Sequence, residues 1–182
     1  MTTSVETIPG YVAGTWTIDQ VHSDVSFSVR HLGVAKVRGR FDDFGGSIVT
    51  AENPLESSVT ATIKTASVNS NNKMRDDHIR NEDFLDTDKF PELTFVSTGI
   101  HAESSVVYRI DGDLTLRDVT KRVSLELELN GFGTGFDGSP VAGFTATTEI
   151  SRADFGVTGG PAGAAVGDKI TIVLEIEAKQ GA

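Results

Sequence analysis

Apolar and polar residues alternate in block after block of this chain. Val25, Phe27 and Val29 alternate with Ser26, Ser28 and Arg30, and Val123, Leu125, Leu127 and Leu129 with Ser124, Glu126, Glu128 and Asn130. Ile170, Ile172, Leu174 and Ile176 repeat the pattern near the C-terminus. A period of two turns successive side chains to opposite faces, so each block is a strand with one dry and one wet face. Such strands belong to antiparallel sheets. With hardly any helix to cover the dry faces, the strands must close on themselves or stack as two sheets. The expected fold class is all-β, with about eight to ten strands, a count that suits a small barrel able to hold one small ligand.

Candidate strands cover 15–19, 24–31, 37–44, 46–50 and 57–68, then 93–99, 106–117, 121–131, 141–150 and 168–179. Phe44-Gly45-Gly46 is placed to bend one strand into the next, Asp111-Gly112 to mark a bulge, and Asp137-Gly138-Ser139-Pro140 to turn a hairpin. The exception is 69–91, which is dense in charge yet carries Met74, Ile79, Phe84, Leu85 and Phe90. Asn71 or Asn72 can cap a short helix that ends near Asn81. An excursion of this length between strands usually covers something: it plugs one open end of the barrel or borders a ligand entrance. The small-residue stretch 156–167, GVTGGPAGAAVG, lacks the Gly-Lys-Ser/Thr of a phosphate-binding loop and reads as a rim loop, either an inert connection or a mobile lid.

A chain of 182 residues suits a single domain, here 1–182 with 1–14 as an N-terminal arm. The net charge of −10 argues against nucleic acid and against anionic membrane surfaces, because both need a basic footprint. Without cysteine there is neither a disulfide framework nor a thiolate metal site. Residues 1–14 have no basic start and no apolar run, so they do not read as a secretory signal, and no stretch approaches the ~20 apolar residues of a membrane span. The expected location is the cytoplasm. An exposed strand edge would make a homodimer easy to form.

The four histidines, His22, His31, His78 and His101, lie on different segments with no His-x-His pair and no His-Glu-x-x-His helix, so no metal is expected. Arg75-Asp76-Asp77-His78 has the look of a catalytic pair, but no nucleophile elbow accompanies it and no catalytic residue is expected. The reading is that Asp76 or Asp77 pairs with Arg75, Arg80 or a strand end, and that His78 satisfies buried backbone near the mouth. Asp83 and Asp86 do not single out a glycosidase pair in so acidic a chain. Arg38 and Arg40 invite a lipid phosphate, although alternating arginines on a half-wet strand also suit a solvated face, with Asp42 and Asp43 close by to neutralise them.

Several clusters together resemble the YceI-like family, lipocalin-shaped bacterial proteins that bind polyisoprenoids. They are Trp16-Thr17-Ile18-Asp19 with His22-Ser23, the run Phe27 to Gly33, Val37-Arg38-Gly39-Arg40-Phe41, and Arg75-Asp76-Asp77-His78-Ile79. Asp83-Phe84-Leu85-Asp86, Phe90-Pro91 with Phe95, Gly112-Asp113-Leu114-Thr115, Val119-Thr120-Lys121 and Arg152-Ala153-Asp154-Phe155-Gly156 follow in the same order. The resemblance implies a single antiparallel lipocalin-like β-barrel of about eight strands with a short helical insert near one end. Its pore would hold a long isoprenoid lipid or an isoprenoid quinone. Many members of that family look exported, whereas this chain shows no signal peptide.

A tail of that kind offers no hydrogen bonds, so its pocket needs apolar walls. The natural lining candidates are Phe27, Val29, Phe41, Phe44, Met74 and Ile79. Phe84, Phe90, Phe95, Leu114, Leu116 and Phe144 complete the set. The expected function is non-enzymatic binding, storage or transport of the lipid, with no cofactor. Two alternatives stand beside it: an enzyme acting on a small apolar substrate in the same cavity, and a filled barrel that binds a protein through its acidic surface. A filled and a hollow barrel need the same alternation, so the pattern does not separate them.

Overall fold

The computed structural model describes residues 8–181; residues 1–7 of the expected N-terminal arm, and residue 182, lie outside the described residues. The strands are β1 (Gly14–Ile18), β2 (Asp24–His31), β3 (Ala35–Phe41), β4 (Phe44–Thr50), β5 (Ser58–Lys64), β6 (Val68–Asn69), β7 (Glu92–Ala102), β8 (Val107–Leu116), β9 (Val119–Thr134), β10 (Pro140–Ser151) and β11 (Val166–Gln180). One short helix, α1 (Lys73–Arg80), follows β6. The ring runs β1-β4-β5-β7-β8-β9-β10-β11, and β11 pairs back onto β1 through Trp16↔Gln180, Thr17↔Lys179 and Ile18↔Ala178. β2 prolongs β1 along β11, β3 pairs with β2, and β6 with β3. Three strand paths are therefore kinked in two, and the whole is a closed antiparallel barrel of eight strands.

The kinks depart from the expected boundaries. The strand expected over 57–68 breaks at a 3-10 turn, Thr65–Ser67, where Thr65 is buried and its hydroxyl donates to the Phe90 carbonyl. The facing strand bends at the same level, at Asp42 and Asp43 and not at Gly45-Gly46, which lie inside β4. Asp42 N–H donates to Ser67 O and Lys64 N–H to Asp43 O, so the two bends are stitched to each other. The bulge expected at Asp111-Gly112 is on the opposite strand: the register runs Ser97↔Gly112 and then Gly99↔Asp111, leaving Thr98 as the extra residue. Gly112 serves another purpose, since a Cβ there would stand 2.3 Å from the Phe95 ring. The hairpin turn before Pro140 and the helix cap are as expected; of the two asparagines it is Asn72 whose side chain accepts from Arg75 N–H.

The connection between β1 and β2 is closed by a cluster of charge. His22 Nδ1 stands 2.8 Å from Asp19 Oδ2 and 3.3 Å from Glu177 Oε2, with Lys179 Nζ at 4.0 Å from the same Asp19 oxygen. The hydrogen bond from His22 holds the Asp19 carboxyl below its ordinary range, and the same bond, helped by both carboxylates, raises the imidazole. A raised histidine stabilises the fold fully below its unfolded value of about 6.5 and loses that contribution as pH climbs through the folded value. The Asp19 contribution runs the other way, lost only as pH falls below the carboxylate range. Between pH 6.5 and 8, roughly, the thermal midpoint of the wild type should therefore fall more than that of His22→Asn. Parallel curves for the two proteins would show that the cluster does not clamp the connection.

Candidate functional site: a tunnel through the barrel

The barrel is hollow. Its interior holds a cavity of about 490 Å³, within the range of small-molecule pockets. The wall on β11 runs from Val166 to Ile176, which is about 33 Å along the strand and, at the usual tilt of a small barrel, about 25 Å along its axis. Val25, Phe27 and Val29 of β2 and Ala146 and Ile150 of β10 flank β11 on its two sides, the alternate residues Val123 to Leu129 of β9 follow beyond β10, and Phe95 and Ile100 of β7 stand on the opposite wall. Walls of this kind make a long, narrow, dry channel.

One end is sealed by aromatic rings. Trp16 is 1% exposed, and it packs on Ala142 and Ala178, two residues small enough to leave room for an indole. Its Nε1–H donates to Thr50 Oγ1 at 2.8 Å, and that hydroxyl donates in turn to Val12 O at 2.8 Å, so the buried polar atoms are satisfied in a chain. Phe132 stands edge-on to Trp16, to Tyr11 and to Phe144 at 5.6, 5.3 and 6.4 Å. Strict alternation along β9 would turn Phe132 outward. An extra residue, Asn130, shifts the register between Gly143↔Gly131 and Phe144↔Leu129, and this bulge flips the phase so that Leu129 and Phe132 both face inward. The bulge at Thr98 does the same for Phe95 and Ile100 on β7.

The other end is the mouth. It is roofed by α1 and the loop after it, which contribute Ile79, Phe84 and Leu85, and by the 156–167 loop, which contributes Val157, Ala162 and Ala165. That loop forms a 3-10 turn over Gly160–Ala165. Arg152 pins it: Nε donates to Gly167 O, Nη1 to Val157 O, and Nη2 to both Gly163 O and Val166 O, all within 3.0 Å. Gly159 N–H reaches Asp83 O and Leu32 N–H reaches Ala165 O, which ties the loop to its two neighbours. Arg30, His31, Arg75, His78 and Arg152 touch the cavity here, and among the described residues no carboxylate lines it.

Ten of the twelve residues expected to line the pocket stand on its wall: Phe27, Val29, Phe41, Phe44, Ile79, Phe84, Phe95, Leu114, Leu116 and Phe144. Met74 and Phe90 do not. The inner stripe of α1 is Arg75, His78 and Ile79, which leaves Met74 off to one side and 84% exposed. Phe90 lies beneath the cations of Lys89 and Arg117, at 5.5 and 5.6 Å. Arg38 and Arg40 are also off the wall, because their neighbours Val37 and Phe41 point in, and Arg40 bonds Asp42 at 2.8 Å. His78 meets the Asp83 carboxylate at 2.9 Å and not buried backbone. Asp77 pairs with Lys73 and Arg80, while Asp76 is buried against the Ser70 amide and hydroxyl. Asp19, His22 and Glu177 gather three metal-capable side chains within 4.8 Å outside the tunnel, a grouping hidden from the sequence by the distance between His22 and Glu177.

The model of the YceI-like domain matches residues 16–178. The chain belongs to the YceI-like family. Its curated relatives include a UPF0312 protein of Shewanella putrefaciens, 42% identical over 75% of this chain and 72% of that one, and another of Shewanella sp. ANA-3, 40% identical over 90% and 87%. Among solved structures, the Campylobacter jejuni YceI protein is 32% identical with a TM-score of 0.75, covering 90% of this chain and 96% of that one. BcnA of Burkholderia cenocepacia, at 23% identity, and a polyisoprenoid-binding domain from Saccharophagus degradans, at 15%, share the fold with TM-scores of 0.79 and 0.71; they cover 88% and 91% of this chain and 98% of each of those chains. In this YceI-like protein Arg152→Ala would strand four carbonyls at the mouth and cost about 2–3 kcal/mol of stability. Amide exchange at Gly159 and Leu32 should accelerate at least ~10-fold, since one tenfold step is about 1.4 kcal/mol. Unchanged exchange at those two amides would show that the loop holds without the arginine.

Proposed function

We propose that this protein is a binding protein whose tunnel takes up, stores or carries a long apolar chain, an isoprenoid lipid or an isoprenoid quinone. The observation that carries the reading is the shape and chemistry of the tunnel: about 25 Å long, apolar along most of its walls, closed at one end by rings and lined by arginine and histidine only at the other. A chain entering it leaves water at ~0.8 kcal/mol per methylene, so a dozen buried carbons supply on the order of 10 kcal/mol before ordering costs. That supports micromolar binding with no polar contact to the tail. The polar groups at the mouth already have partners, Arg152 in loop carbonyls and His78 in Asp83, which suits holding a ligand better than transforming it. The description of the S. degradans neighbour as a polyisoprenoid-binding domain agrees in ligand class.

Filling the tunnel tests the reading. Val29 and Leu116 both face the cavity, on β2 and β8. Val29→Trp and Leu116→Trp should each lower affinity for geranylgeraniol by at least ~10-fold while the far-ultraviolet circular dichroism stays that of a folded barrel. Equal affinity in both variants would mean that the chain does not occupy the tunnel.

A further inference from the structure

The rim of the mouth presents a surface that the tunnel itself does not use. The three residues that join β2 to β3 form a tight turn in which Val34 N–H donates to His31 O at 3.2 Å, with Leu32 and Gly33 at its centre. Both central residues are left-handed, Leu32 at φ 54° and Gly33 at φ 70°. Turns of this kind favour asparagine before glycine, because an ordinary side chain crowds its own backbone there. Leucine bears that strain without burial in return: Leu32 is 64% exposed and Val34 83%. Met74, on α1 at the same end, is equally exposed. Large apolar side chains thus stand in water around the entrance.

Cations flank them. Residues 30–41 contain Arg30, Lys36, Arg38 and Arg40 and no carboxylate. The register Arg30↔Lys36 and Ser28↔Arg38 sets Lys36 and Arg38 on the outer face of the hairpin, opposite the inward Val29 and Val37, with Arg30 at the rim, where it is exposed and also touches the cavity. Arg40 is neutralised by Asp42, as Arg80, Arg109, Arg117 and Arg122 are by their own carboxylates. Arg30, Lys36 and Arg38 have no such partner within 4.0 Å among the described residues. The turns at the sealed end, 51–57, 103–106 and 135–139, hold Glu52, Glu56, Glu103 and Asp137 and no lysine or arginine. The mouth also carries carboxylates on α1 and its loops, so the unpaired cations are a local feature of the hairpin that the whole-chain charge of −10 conceals.

We propose that the β2–β3 tip docks the mouth onto an anionic phospholipid bilayer, with Leu32 and Val34 entering the headgroup layer and Arg30, Lys36 and Arg38 beside the lipid phosphates. Apolar side chains ringed by unneutralised cations are what interfacial binding to anionic lipid requires. Asp77, Asp83 and Asp86 of the neighbouring roof are paired with Lys73, Arg80, His78 and Arg117, which limits their field at the hairpin. Docking in this orientation turns the tunnel toward the bilayer, so an apolar chain passes between the two without crossing water. Phe136, fully exposed at the sealed end next to Asp137, is apolar without cations and serves as the internal control.

The test is co-sedimentation at low salt with vesicles of phosphatidylcholine and phosphatidylglycerol in equal amounts, and with phosphatidylcholine alone. The wild type should bind the anionic vesicles and leave the neutral ones. Lys36→Gln with Arg38→Gln should lose about 25-fold, taking each cation near the surface as worth ~5-fold. Leu32→Asn should bind less and melt at a higher temperature, since asparagine suits the left-handed turn. Phe136→Ser should bind like the wild type, and added salt should release all bound protein. Equal binding to both vesicle types, binding to neither, or a loss in Phe136→Ser with the hairpin variants unaffected would overturn the proposal. The readout is independent of cargo: a protein that rejects prenols and still binds anionic vesicles would overturn the tunnel reading and leave the docking surface standing.

Discussion

Everything in this barrel depends on the closure between β11 and β1. Three residue pairs join β11 to β1, and seven more join it to β2, which prolongs β1; without this seam the sheet would be open and its dry face would meet water. Trp16 sits on the closing strand and reaches across to Ala142 and Ala178, so the seam is held by packing as well as by backbone pairing. The same residue backs Phe132 and Phe144, two of the rings that line the floor of the tunnel. Barrel closure and pocket formation are therefore one event, and a change that weakens the seam opens the site.

A hollow interior carries an energetic consequence. Side chains around a void lack partners on one side and forfeit dispersion contacts that a filled core would make. The wall residues are still removed from bulk water, and the ladder of backbone bonds runs unbroken around the ring, which keeps the empty barrel folded. A guest restores the missing contacts, and because it binds the folded chain alone it adds stability in proportion to its occupancy. Fold and ligand are in that sense coupled, with the aromatic floor, the arginine-pinned loop and the α1 excursion deciding how tightly the void is shut.

Much of this is legible in the residues. The alternation on β2, β9 and β11 marks the inward faces, and from them the barrel and most of its lining follow. What escapes is whatever depends on a change of phase. Phe132 and Ile100 face inward only because single extra residues at Asn130 and Thr98 invert the pattern, and a bulge leaves little trace in the sequence. Met74 and Phe90 look like pocket residues because they are large and apolar, but an eight-residue helix offers one narrow inner stripe and a cation pair covers the phenylalanine. Arg152 could not be singled out as a latch, since its four partners are backbone carbonyls that no side-chain pattern announces. The charge sum was misleading for a related reason: it averages the cationic β2–β3 hairpin with the acidic segments around it.

The central claim is that the void exists to be filled by a long apolar chain. Native mass spectrometry of the purified protein, followed by solvent extraction and identification of what is released, addresses it directly. The account predicts a mass above that of the polypeptide, with one long isoprenoid or isoprenoid quinone released per chain. A bare polypeptide mass that remains unchanged after incubation with prenols and prenyl quinones would contradict it.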